Sequence, residues 1–472
     1  MPQLGCDSRP TAQVEPPSVD AGSALTREQL LDPASCKGCH PRHYREWQSS
    51  MHAYAADDPV FRAMNQRGQR ETEGELGDFC VRCHAPLALS EGATSDGLNL
   101  DSVPASLRGV TCYFCHNVET TGEHAFNNQL VLANDTRMRA AIADPVPNPA
   151  HLSGYSPHQD RNRKDSSALC GGCHDVVMPS GVKLERTLQE YEESLFAQQG
   201  PGFDTCSGCH MPGRSGRAAE FPGAPQRTIH EHLWPGVDVA LDDFPDRTVQ
   251  ERAVECELGL QLRIVSIGVS GLGELSIEIE TQAGHHQPSG TAHDRRLWLE
   301  VVAYDAQERV LFQSGVIGDR EREEKAPGEP GYDPNLALFR DWIYGADGQP
   351  VHMFWDAAPS SLYPDGYQSV TLPPMLRLNT PHTLEARFRI FQLEQVERVR
   401  VRTRMRPVGM DVLDDLIDSG DLDAKVRDAM PTFTLHGASL DWYPLDDTRV
   451  PLSDGPQCPD SYRCLLDDEC AE

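Results

Sequence analysis

Ten of the 15 cysteines fall into one repeated pattern, Cys-x-x-Cys-His, which occurs five times. The copies are Cys36-Lys37-Gly38-Cys39-His40, Cys80-Val81-Arg82-Cys83-His84, Cys112-Tyr113-Phe114-Cys115-His116, Cys170-Gly171-Gly172-Cys173-His174 and Cys206-Ser207-Gly208-Cys209-His210. A chain of this composition would contain roughly 0.02 such motifs by chance. The spacing suits a particular chemistry. Two thiols add across the two vinyl groups of a haem, and the next residue supplies a nitrogen to the iron. Other uses of paired cysteines fit less well. Zinc ribbons combine two knuckles, and five is an odd number. A thioredoxin-like site uses one such pair, and disulfides do not require the following histidine. The residues therefore imply five covalently bound haems c, with His40, His84, His116, His174 and His210 as proximal ligands.

Composition sets the frame around these motifs. The formal net charge is −30, with 72 acidic and 42 basic residues. Such a field disfavours nucleic acid, which needs a basic face, and suits a positively charged redox partner. No apolar run is long enough to span a bilayer. The chain divides into residues 1–30, a Pro- and Ser-rich tether; 31–240, the pentahaem region; 245–450, a β-rich region; and 451–472, an acidic tail. Helical stretches are expected at 42–56, 184–198 and 411–417. Period-two alternation predicts strands at 260–269, 274–281, 297–304, 310–314, 383–391 and 399–405, with 305–308 as a hairpin loop. The expected fold class is α+β: a loop-rich, short-helix haem region followed by a sandwich-like β-domain.

Five irons with both axial positions filled need five further ligands. Removing the motif histidines leaves thirteen of the 18 histidines as candidates. The thioethers of Met51, Met178 and Met211 are the other option, and Met ligation would raise the potential.

The stretch from Cys36 through Tyr44, Trp47, Ser50, His52 and Ala53 resembles the opening of the cytochrome c-552/4 family, the tetrahaem electron carriers. The resemblance runs over roughly residues 31–440 and is strong only at the motifs. It implies that His52, after Trp-x-x-Ser, reaches a neighbouring haem. It puts forward His124 after the third motif, although Asn117-Val118-Glu119 departs from the usual Gly-Pro-Gly there. His158, in Ser156-Pro157-His158, is implied in the same way. So are His232 in His232-Leu233-Trp234-Pro235-Gly236 and His285 in Gly284-His285-His286-Gln287-Pro288, with His286 as a near substitute. His43, His151, His230 and His293 are left over. In the second copy of the Trp-x-x-Ser helix, Phe196 stands where His52 stands in the first.

Haem attachment of this type takes place outside the cytoplasm, so a periplasmic or extracellular location is expected. The opening residues Met1-Pro2-Gln3-Leu4-Gly5-Cys6 show no basic-then-apolar run. Leu4-Gly5-Cys6 has the outline of a lipoprotein cleavage site, which makes Cys6 a candidate lipid anchor. Cys256, Cys458, Cys464 and Cys470 are candidates for disulfides, with the pairing open. Electron transfer to redox partner proteins is the leading expectation. One alternative is a reductase of the nitrite, hydroxylamine or tetrathionate type with one open haem. Such enzymes often hold the active haem with a lysine motif, whereas all five motifs here end in His. The other alternative is a homo-oligomer or extracellular filament, in which one subunit completes a haem of the next.

Overall fold

The computed structural model describes residues 24–270, 273–376 and 382–452, together with Gly455, Pro456, Cys458 and Leu466. Cys6, Cys464, Cys470 and most of the tether and tail lie outside the described residues. The class is α+β, with short helices first and a sheet-rich region after.

Four of the motifs wind into helices: Val81–His84, Cys112–His116, Ser167–His174 and Cys206–His210. Cysteines three residues apart on one helical turn present both thiols on one face, with the histidine beside them. Thr111 and Thr205 start two of these turns by accepting from the backbone N–H of Phe114 and Gly208. The first motif instead bridges a 3₁₀ turn, Pro33–Cys36, and a helix, Pro41–Gln48, whose N-cap is His40.

Two expected helices are broken. The run at 42–56 splits into Pro41–Gln48 and Met51–Tyr54, because the Ser50 hydroxyl caps a new helix at the Ala53 N–H. At 184–198 the chain first pairs as a strand, Lys183–Arg186 against Asp175–Val177, and only then forms the helix Thr187–Glu193. In both places local side-chain and strand bonding overrides the helical period.

The second half opens with a helix, Arg247–Gln261, which leads directly into strand Leu262–Val269. That strand joins a three-stranded antiparallel sheet in which Glu274–Thr281 lies between it and Thr383–Arg389. A nine-stranded sheet is centred on Arg296–Tyr304, paired along its full length with Arg398–Arg406. The hairpin at 305–308 joins Arg296–Tyr304 to Val310–Ser314. The two sheets share one core. Ile277, Ile279 and Phe388 from the smaller sheet meet Leu297, Leu299, Val301 and Val401 from the larger, with Val254 and Leu258 of the helix closing one side. Alternate residues of Arg296–Tyr304 supply this face, as a half-buried strand requires.

One loop ties the halves together. The His286 N–H and the Ser289 hydroxyl both donate to Glu190 (3.2 and 2.6 Å), and the Gly290 N–H donates to the Thr187 hydroxyl (3.1 Å). Behind it, Gln287 and Leu372 exchange two backbone hydrogen bonds (2.9 and 2.8 Å). The loop from the β-rich half is thereby fixed onto helix Thr187–Glu193 of the motif half.

Candidate haem-binding cavity

A continuous cavity of about 1800 Å³ is lined by all ten motif cysteines and all five motif histidines. These thiols are free of disulfides. The lining is mainly apolar, and it includes Trp47, Phe61, Leu130, Leu184 and Trp234. In a dry enclosure of this kind an unpartnered polar atom is costly. Yet Nδ1 of His158 and Nδ1 of His293, both on this wall, have no hydrogen-bond partner among the described residues. Large apolar ring systems carrying polar edges would fit such a space.

Four pairs of imidazoles face each other across it. His40 and His151 have ring centroids 6.3 Å apart at 25°. His116 and His232 are at 6.2 Å and 19°. His174 and His52 are at 6.3 Å and 74°, and His210 and His285 at 6.3 Å and 13°. Two metal–nitrogen bonds of about 2 Å, plus about 1 Å from nitrogen to ring centre on each side, sum to about 6 Å. The gap between each pair therefore matches one metal ion held from opposite sides.

The rings are aimed by their other nitrogen. Nδ1–H of His40 donates to the carbonyl of Ala218 (2.6 Å), that of His84 to Ala55 (2.9 Å) and that of His116 to Arg139 (2.6 Å). His151, His232 and His285 do the same toward Leu152, His230 and His286 at 3.0, 2.9 and 2.9 Å. Each bond fixes the tautomer and leaves Nε2 free, which is the usual arrangement behind a metal-bound histidine. Burial favours the neutral form, the one that can ligate, in seven of the cavity's imidazoles. It pulls His52 down to about 3 and His174 to about 4, and lowers His40, His84, His116, His232 and His285 below the ordinary imidazole value.

The residues singled out in the sequence are distributed as follows. His52, His232 and His285 each stand opposite a motif histidine. His124 is exposed, with its ring stacked on Phe126 at 5.3 Å. His158 lines the cavity beside the third motif, where its neighbour Gln159 donates to the Cys115 carbonyl (2.6 Å). His151, left over in the sequence, occupies the place opposite His40. No spacing rule marks it. It is brought there because Arg137–Ala140 and Leu152–Tyr155 pair in parallel and fold the intervening loop over the first motif.

The second motif differs from the rest. The His84 ring is stacked on Phe61 at 4.0 Å and 2°, and among the described residues no second imidazole is paired with it at the spacing of the other four. His43 lies edge-on to His232 at 4.9 Å, and Glu46 brings a carboxylate within 4.8 Å of both. That group shares His232 with the third motif. Of the other cysteines, Cys256 on helix Arg247–Gln261 is disulfide-bonded to Cys458.

The family of cytochrome c554 and c-prime matches residues 35–117, which hold the first three motifs. A solved structure, the penta-heme cytochrome c552 from Thermochromatium tepidum, shares the fold. Its TM-score is 0.57 and its identity 21%, over 87% of this chain and 97% of that one. Comparison with curated proteins finds no match.

Proposed function

We propose that this chain is a multihaem c-type cytochrome of the c554/c552 type, in which five haems c, one at each Cys-x-x-Cys-His motif, carry electrons between redox partner proteins outside the cytoplasm. The observation that carries this reading is the set of four imidazole pairs at 6.2–6.3 Å inside one cavity lined by every motif thiol.

Bound haem iron supplies one-electron chemistry, cycling between ferric and ferrous states. The chain's own residues do the rest. The ten thiols attach the cofactors covalently, and His40, His84, His116, His174 and His210 supply the proximal nitrogens. His151, His232, His52 and His285 would supply the second nitrogens for the groups held at the first, third, fourth and fifth motifs; His124 and His158 are not part of this set. Backbone carbonyls hold the Nδ1 protons, which raises the donor strength of Nε2 and, with two histidines per iron, favours low potentials.

A second reading is favoured by the second motif alone. Among the described residues no imidazole is paired with His84, so that iron would be open to a small ligand, as a reductase would need. Mass spectrometry and oxidised-state magnetic resonance on matured protein test both. The expected result is a mass gain of five haems, with four low-spin centres and one high-spin. Five low-spin centres in the monomer would remove the second reading. Five only in an oligomer would mean that a second copy of the chain completes the site. A chain with the bare polypeptide mass would overturn the proposal.

A further inference from the structure

Of the four imidazole pairs, three are close to parallel and one is crossed. The rings of His40 and His151, of His116 and His232, and of His210 and His285 lie 13–25° from parallel, whereas those of His52 and His174 stand at 74°. Each near-parallel pair has at least one ring held by a hydrogen bond from Nδ1–H to a backbone carbonyl. Among the described residues neither His52 nor His174 has such a bond. Packed against the His52 ring is Trp234, whose indole is edge-on to it with centroids 4.7 Å apart at 83°. The backbone of His52 is fixed separately: its carbonyl accepts from the Val110 N–H (2.8 Å), and Ser50 caps the helix that carries it. The imidazole turns about its last side-chain bond, and the indole edge stands in the way of that turn.

The backbone at Trp234 is strained. Its φ is +47°, in the left-handed region that bulky side chains avoid, and Pro235 follows it, which restricts it further. Its neighbours hold it there from both ends. Before it, the His232 N–H donates to Glu46 (3.0 Å) and Leu233 is buried. After it, Val237 lies in the core shared by the two sheets, and Asp238 accepts two bonds from Arg295 (3.0 and 2.9 Å). Strain that is over-determined in this way marks a side chain whose place matters. The same indole is also edge-on to His232, at 5.1 Å and 70°. It is wedged between a ring of the third motif's pair and a ring of the fourth's.

The angle between two axial rings has an electronic consequence for a low-spin ferric iron held between them. Parallel rings donate π-density into one iron d-orbital and split it from its partner. Crossed rings donate into both and leave them nearly degenerate. A crossed centre therefore gives a strongly anisotropic magnetic signal. Its ferric state is also less stabilised, so its potential is higher than with parallel rings.

We propose that Trp234 is a positioning residue whose indole holds the His52 ring crossed to His174, which sets the centre at the fourth motif apart from the other three. The inference rests on a haem being held at the fourth motif.

The test uses the matured full chain. Low-temperature magnetic resonance of the oxidised protein is compared for the parent, His52→Ala, Trp234→Phe and Trp234→Leu. The parent should show one strongly anisotropic low-spin signal beside three rhombic ones. His52→Ala should lose the anisotropic signal, which assigns it to the fourth motif. Trp234→Leu should keep the parent's low-spin count, convert the anisotropic signal to a rhombic one, and lower that centre's potential in a redox titration. Trp234→Phe keeps a smaller ring edge and should move the signal part of the way, so it tests the role even if the Leu variant does not mature. Four rhombic signals in the parent, an anisotropic signal that survives His52→Ala, or one unchanged in either Trp234 variant would overturn the inference. So would a new high-spin centre in Trp234→Leu, because His52 would then have left the iron rather than turned. Peptide mapping of the parent that finds Cys170 and Cys173 without a haem would instead remove the reading beneath it.

Discussion

His151 and His158 flank the strand Leu152–Tyr155, seven residues apart, and have opposite assignments, so replacing each by alanine isolates what ligation requires. His151→Ala should convert one low-spin centre to high-spin in the oxidised protein, whereas His158→Ala should leave the count unchanged. His285→Ala should also cost one low-spin centre, because its imidazole faces His210 at 6.3 Å. An unchanged spectrum in either ligand variant would withdraw that residue. A different kind of residue effect is expected at Glu185. Burial pushes its carboxyl up to about 7 against the pull of Arg295. Below the unfolded carboxyl value of 4.5 the group is protonated in both states and contributes nothing. Between there and about 7 the unfolded chain ionises first, so folding loses stability as pH rises. Glu185→Gln removes that loss. Its stabilisation should be absent at pH 4 and reach on the order of 1–3 kcal/mol above pH 7, read from urea unfolding midpoints at both pH values. A gain that does not depend on pH would refute the burial argument.

Among the elements, the short helix Met51–Tyr54 matters because it places His52, and a glycine elsewhere makes its position possible. Gly109 has φ +73°, and a Cβ there would stand 2.7 Å from the His52 carbonyl oxygen and 2.6 Å from that of Ala53. Both obstacles are backbone, which cannot swing aside, and the φ itself disfavours a side chain. The Val110 N–H also donates to the His52 carbonyl (2.8 Å) and the Trp47 indole to the Val110 carbonyl (2.8 Å), so the two segments move together. Gly109→Ala should therefore displace His52 and turn the fourth motif's centre partly high-spin, without touching any ligand. A fully low-spin fourth centre in that variant would show that His52 is held independently. The motif helices carry similar constraints: a Cβ on Gly171 would meet the Leu188 side chain at 2.3 Å, so the Gly-Gly inside the fourth motif permits close packing of helix Thr187–Glu193.

At the scale of the whole molecule, the long-range ties of the β-rich half include the loop onto Glu190 and the disulfide from Cys256 to Cys458, which closes a separation of 202 residues. Cys458→Ser should cost about 2–4 kcal/mol in oxidising buffer and nothing extra under reducing conditions. An unchanged melting temperature in oxidising buffer would show that the bond constrains little. The five motifs whose thiols and histidines line the cavity were fully legible in the sequence, because each is a run of adjacent residue types at a fixed interval. Strands with a clear period of two, such as Glu274–Thr281, were legible for the same local reason. Helix Arg247–Gln261 and strand Leu338–Tyr344 were not, since burial on more than one face erases the period. The imidazoles opposite the motif histidines were not legible from local spacing: His52, His232 and His285 came forward only through the resemblance, and His151 not at all. A distal imidazole has no covalent link to its partner's motif and can arrive from any distance along the chain, as His151 and His285 do. Residue order determined where the thiol pairs and their histidines stand along the chain; only the folded path of the backbone decided which imidazoles face each other, and that His84 is paired with none of those described.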